Sequence, residues 1–302
     1  MRMDPFYVSN MVSSLDQTQV TQQQISAEMS SGSRVNSLSD DPVASGQNVT
    51  LLNQIQQDDS FTTSSSLVTG QLQVADTTLG SVVTQLTSAV SMATSANNGT
   101  LNASNIKSIA NELSGVLTEV QSLANTSYQG QYIFGGAQTA TAPFTTSTNA
   151  TPNTTTYSGD QNVNYLETPN GQKIQLNIPG SQVFLGTGTN SVFSALNSLI
   201  ADYSSGTVNT SQAVQDTEAL STALGYVSQQ RVNIDNSISQ ITAASDATTN
   251  VKLQLTTAQS TLMQADVASL STQLSLSKTQ QTALESMIST MDSSSNTLFA
   301  KL

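Results

Sequence analysis

The residues that could support chemistry are few. Asp40-Asp41 and Asp58-Asp59 are the only adjacent acidic pairs, and adjacent carboxylates can share a proton or hold a metal. Neither pair has a base, a nucleophile or a metal-ligating side chain near it in sequence. The chain contains no His and no Cys. That removes the usual general base near neutral pH, any thiolate nucleophile, any disulfide and any zinc–cysteine site. The glycine-rich stretch Gly130–Gly136 lacks a Lys and follows no strand-to-helix phosphate pattern. The acids read as helix caps or solvated faces. No catalytic, cofactor or metal site is expected, and the chain is not expected to be an enzyme.

The elements that position these residues belong to an unusual surface. Of 302 residues with a formal net charge of -12, only 9% are charged and 5% aromatic. A typical globular domain is about a quarter charged. Ser, Thr, Asn and Gln make up the difference. Such a surface is polar through hydroxyls and amides, repels its neighbours little and can pack against copies of itself. The Lys and Arg residues are scattered singly from Arg2 to Lys301, so no basic patch offers itself to nucleic acid. No apolar run approaches the roughly 20 residues of a membrane span, so no membrane insertion is expected. The start, MRMDPFYVSNMVSSL, lacks the apolar region of a secretory signal. Export would need another route.

Val8, Met11, Leu15, Thr18, Gln22, Ile25 and Met29 keep a 3-4 alternation, which puts them on one stripe of a helix. Asp4-Pro5 is its start signal. Thr18 and Gln22 make the seam partly polar, and its apolar side chains cannot offset the entropy of ordering the run. This helix needs a partner. The stretch Ser30–Gly46 (SSGSRVNSLSDDPVASG) interrupts the pattern, with Asp41 as N-cap and Pro42 at the first helical position, where a missing N–H costs nothing. A second helix follows. Its seam is polar through Asp59, Thr62 and Ser66, then regular from Leu72 to Ala96. Asn97-Asn98-Gly99 stops it, and Asn102 or Ser104 opens a third, antiparallel helix with Ile106, Ile109, Leu113, Val116, Val120 and Leu123 on its stripe.

The texture then changes. Tyr128–Gly136 is aromatic, β-branched and Gly-rich. The tract 139–156 is rich in Thr, Asn and Pro without periodicity and reads as a surface loop. Val163–Tyr165 and Ile174–Ile178 alternate around the turn Pro169-Asn170-Gly171, which predicts a β-hairpin. Val192–Tyr203 predicts one short amphipathic helix. The 3-4 spacing returns from Ala213 to Ala265, with Arg231 on the seam. After a slip, Leu270, Leu274, Ser277, Gln281, Leu284, Ile288, Met291, Ser295, Leu298 and Leu302 continue it to the last residue. This last seam is partly polar, like the first.

The fold class is therefore mainly α with a small β-rich insert: an elongated, antiparallel, coiled-coil-like helical rod whose N- and C-terminal helices pair at one end. The divisions are 1–32, an N-terminal assembly helix pairing with 270–302; 33–130 and 206–269, the two parts of the rod; and 131–205, the inserted module. The assembly interface comprises Val8, Met11, Leu15, Ile25 and Met29 with Leu270, Leu274, Leu284, Ile288, Met291, Leu298 and Leu302.

Ser31-Gly32-Ser33-Arg34-Val35-Asn36 with Asp40-Asp41-Pro42, and the C-terminal run to Phe299-Ala300-Lys301-Leu302, resemble the two ends of the flagellin superfamily. The start MRMDPFYVSN departs from the Asn-rich start of filament subunits. Gly130–Gly136 (GQYIFGG), Pro143-Phe144 and Tyr157-Ser158-Gly159-Asp160 resemble its hook–filament junction branch instead. The resemblance implies a bacterial structural protein, exported through the flagellar type III apparatus to the extracellular flagellum. It would form a ring of its own copies between a hook-side junction protein and flagellin, with an export chaperone on its C-terminal helix. It would place Arg34, Asp40, Asp41 and Pro42 at the connection between inner and outer layers, where pairing of Arg34 with Asp40 or Asp41 either fixes the angle between layers or is a solvated pair of little consequence. Flagellin itself and a secreted coiled-coil protein of a type III secretion system are the alternatives.

Overall fold

The computed structural model describes residues 5–147, 154–186 and 191–299, with side chains described from Ser9 to Met291 within those stretches. Six α-helices carry most of it: α1 (Pro5–Ser31), α2 (Pro42–Asn97), α3 (Ala103–Ala124), α4 (Val192–Ser204), α5 (Thr210–Met263) and α6 (Val267–Phe299). Three antiparallel two-stranded sheets lie between α3 and α4: β1 (Ser127–Tyr128) with β2 (Gln131–Tyr132), β3 (Phe144–Ser147) with β4 (Thr154–Tyr157), and β5 (Tyr165–Glu167) with β6 (Lys173–Gln175). The chain is thus mainly α with a small β insert, as its periodicity predicts. Two compact units result. One is formed by the residues up to Gln56 and from Val251 onwards, the other by Gln57–Asn250.

In the Gln57–Asn250 unit, the regular seams become the core. Leu79, Val82, Leu86 and Ala89 of α2, Leu113 and Val120 of α3, and Leu220 and Val227 of α5 are fully buried. Helices α2 and α5 are antiparallel, since Asp76 meets Arg231 and Asn97 meets Thr217. Arg231 is a seam position that stays charged. Its Nε donates to Asp76 Oδ1 at 2.6 Å and its Nη2 to Asp76 Oδ2 at 3.2 Å. Gly80 lies under the guanidinium, where a Cβ would make ordinary van der Waals contact with its carbon at 3.5 Å. Asn102 is the α3 cap, its side chain accepting from the Asn105 N–H at 2.9 Å. Helix α4 packs closely on α3 and buries Val192, Phe193, Leu196, Leu199 and Tyr203.

The insert has an aromatic centre. Phe144 lies 5.1–5.2 Å, centroid to centroid, from Tyr157, Phe184 and Phe193, and Phe184 meets Phe134 edge-on at 5.3 Å. Asn125, just past α3, fixes Phe144 from both sides of its peptide. Its Nδ2 donates to the Phe144 carbonyl and its Oδ1 accepts the Phe144 N–H, each at 2.9 Å. The first hairpin turns on Gln129 (φ 51°) and Gly130 (φ 80°), a pair of left-handed residues that matches the strand twist.

One expectation is corrected here. The tract 139–156 is not simply a loop: Phe144–Ser147 pairs in register with Thr154–Tyr157. Thr145 and Thr146 meet Thr156 and Thr155 across the strands through their hydroxyls at 3.0 Å. The β-branched Thr pairs hold this ladder without an apolar–polar alternation to announce it. The Asn164–Ile178 hairpin follows its turn signal, with Leu166 opposite Ile174.

Candidate assembly interface

The seams of α1 and α6 are built from small, soft and polar side chains, and the two helices lie against each other. They are antiparallel, because Thr18 meets Ser277 while Ile25 packs with Leu270. Ile25, Ala265 and Leu270 form a buried cluster, with Met29 and Leu274 half-buried around it. Met11 is buried as well, while Leu15, Leu284, Ile288 and Met291 are half-buried. Val8 lies within α1 and Leu298 within α6, but their side chains fall outside the described set, and Leu302 lies outside the described residues altogether. The polar seam positions face one another. Gln22 Nε2 donates to Gln281 Oε1 at 2.9 Å, and the Ser277 hydroxyl points to the Thr18 carbonyl at 3.5 Å.

Between α1 and α2 the chain forms a knot of short-range contacts. Gly32, at φ 67°, takes the left-handed conformation that stops α1. Ser33 then forms an antiparallel bridge with Gln264, in the break between α5 and α6. The Arg34 N–H donates to the Met263 carbonyl at 2.7 Å, and the Ala265 N–H to the Gly32 carbonyl at 3.0 Å. Asp266 accepts from the Ala268 and Ser269 amides at 3.1 Å and so starts α6.

Each acidic residue of the stretch has its own task. Asp41 caps α2: its Oδ1 accepts from the Ala44 N–H at 3.0 Å, with Pro42 opening the helix. Its other oxygen accepts from Arg34 Nη1 at 3.0 Å. The Arg34 Nη2 donates to the Leu262 carbonyl at 3.3 Å, one of the last in α5. One guanidinium thus joins the start of α2 to the end of α5, and a cation at a helix C-terminus is favourably placed. Asp40 does not pair with Arg34. It accepts from the Asn36 and Ser37 amides at 3.0 and 2.8 Å and from the Ser37 hydroxyl at 2.8 Å. The Ala44 amide, then Arg34, holds the Asp41 carboxyl below its usual value. The Ser37 hydroxyl, then the Ser37 and Asn36 amides, does the same for Asp40.

These side chains bind and position one another and the ends of α1, α2 and α5. Sequence reasoning selects the terminal seams and the pairing of Arg34 with an Asp, but misses the main-chain bridge to Met263–Ala265. Residue types do not announce that bridge, since it rests on backbone groups, with the Ser33 hydroxyl adding a bond to the Met263 carbonyl at 3.3 Å.

Residues 6–139 match the family described as the bacterial flagellin N-terminal helical region. Over 187 residues the chain is 26% identical to flagellar hook-associated protein 3 of Salmonella typhimurium, covering 62% of this chain and 57% of that one. Over 118 residues it is 30% identical to flagellar hook-associated protein 3 of Escherichia coli, covering 39% and 37%. The matched regions span less than two thirds of either relative. The crystal structure of the flagellar junction protein FlgL from Legionella pneumophila superposes with a TM-score of 0.58 at 17% identity, covering 72% of this chain and 100% of that one.

The chain is therefore similar to flagellin-like helical proteins, by its fold and by its residues 6–139. Within that class the similarity runs to flagellar hook-associated protein 3.

Proposed function

We propose that this protein is a structural subunit of the bacterial flagellum at the junction between hook and filament. The observation that carries the reading is the antiparallel α1–α6 pair with its partly polar seam, in a chain similar to hook-associated protein 3. In this reading residues 1–32 and 270–302 form the assembly element, 33–130 and 206–269 the helical rod, and 131–205 an inserted module. Copies form a ring that contacts a hook-side junction protein on one side and flagellin on the other. Arg34, Asp40, Asp41 and Pro42 set the connection from α1 to α2. The chain leaves the cell through the flagellar export apparatus, with a chaperone holding its C-terminal helix.

The match of residues 6–139 to a flagellin region favours a second reading, a filament subunit. Self-assembly separates the two. The purified protein, salted and seeded, should bind hook ends without growing long filaments. Long filaments of this protein alone would overturn the junction reading and favour the second.

A further inference from the structure

In the Gln57–Asn250 unit, two carboxylates face each other where α4 ends and α5 begins. Asp202 lies in the last turn of α4, within hydrogen-bonding reach of Asp216 in the second turn of α5. Asp202 Oδ2 is shut off from solvent and receives no N–H or O–H.

The surroundings supply no positive charge. From α2, Asn97 donates to the Thr217 hydroxyl at 3.0 Å and to the Ala213 carbonyl at 3.3 Å. From α4, the Tyr203 hydroxyl donates to Asn97 Oδ1 at 2.9 Å, and burial pushes it up to about 12. From α5, Gln212 donates to Asp216 at 3.2 and 3.3 Å, and Glu218 is exposed. From α3, the exposed Lys107 lies over Gly206 and pairs with neither carboxylate.

We propose that Asp202 and Asp216 form a proton-sharing carboxyl pair that makes the Gln57–Asn250 unit more stable in mildly acidic solution than at neutrality. With both ionised, two acceptors oppose each other, Oδ2 has lost its water, and the Asp202 charge lies at the negative end of α4. One proton taken up by Asp202 turns the repulsion into an O–H···O bond. Burial, then the hydrogen bond to Asp216, raises Asp202 to about 6. An acid raised above its unfolded value of about 3.9 is bound to its proton more tightly when folded. Its contribution to stability therefore grows as pH falls through about 6 and is lost as pH rises through it.

Urea unfolding of the full chain at about pH 5 and about pH 7.5, repeated for D202N and D216N, tests the pair. The natural protein should unfold at higher urea at the lower pH, and each substitution should remove more than half of that difference. Equal pH dependence in all three overturns the proposal. Carboxyl carbon NMR of the natural protein tests it even if a variant fails to fold. An Asp202 midpoint well above the ordinary Asp range is expected, and one within that range overturns it.

Discussion

Gln22 of α1 and Gln281 of α6 hydrogen-bond side chain to side chain at 2.9 Å across the pairing of the chain's two ends. Both are seam positions where an apolar residue would bury more surface. An amide pair contributes less stability than two leucines and gives more register, because a slipped alignment leaves each amide against an apolar neighbour. With Thr18 beside Ser277, the polar positions coincide on the two helices. Such a pair forms in one alignment and is easily opened.

Replacing Gln22 alone by Leu should weaken the α1–α6 pairing by about 1 kcal/mol, because half-buried Gln281 loses its partner. Replacing both by Leu should tighten it beyond the natural protein. Hydrogen exchange of α1 amides around Ser14–Ile25 reads both effects. Slower exchange in the single variant would contradict the account.

The same logic ranks the helices. In the free chain, exchange should be fast in α1 and after Leu274, and slow over Leu220–Ile241, where Leu220, Val227, Ile234 and Ile241 are buried. Uniform protection along the chain would mean that the ends are as firmly held as the core.

Asp41→Ala should speed exchange at the Ala44 amide, which the Asp41 carboxylate caps. Arg34→Ala should loosen the end of α5 at Leu262. Asp40 and Asp41 are both held below their usual values, so their contribution is fully present above about pH 4 and is lost as pH falls below that towards their lowered values. Acid should therefore open the connection between α1 and α2, an effect opposite in sign to that at Asp202. An Ala44 amide as well protected at about pH 2 as at neutrality would contradict this.

Phe184 is fully buried between Phe134, Phe144 and Phe193. Phe184→Ala should cost about 3–5 kcal/mol, read by urea unfolding of the full chain. Asn125→Ala should cost less but loosen β3 from α3, because both of its side-chain bonds go to Phe144 and, among the described residues, only the Thr146–Gln121 side-chain bond remains between them. A change below about 1 kcal/mol for Phe184→Ala would mean that the aromatic centre is not a core.

The helices were legible because burial follows a simple period. The stripe Leu72–Ala96 and the cap Asp41 can be read off residue types, and the structure has them; of the two candidate starts for α3, Asn102 and Ser104, it uses Asn102. The pairing of Arg34 was legible only as a choice between Asp40 and Asp41. Loop geometry decides it, since Asp40 is already engaged by Asn36 and Ser37. The ladder of β3 and β4 was hidden because Thr pairs with Thr on both faces and leaves no alternation. The Ser33–Gln264 bridge was hidden because it joins main chain separated by most of the sequence. Arg231 could be placed on a seam, but its partner Asp76 emerges only when α2 and α5 are aligned.

The junction role is tested most directly by deleting this chain in its host bacterium and examining the cells by electron microscopy. The account predicts hooks without filaments and flagellin released into the medium, restored by the natural chain but not by one lacking Leu284–Leu302. Filaments of normal length on the deleted cells would contradict it.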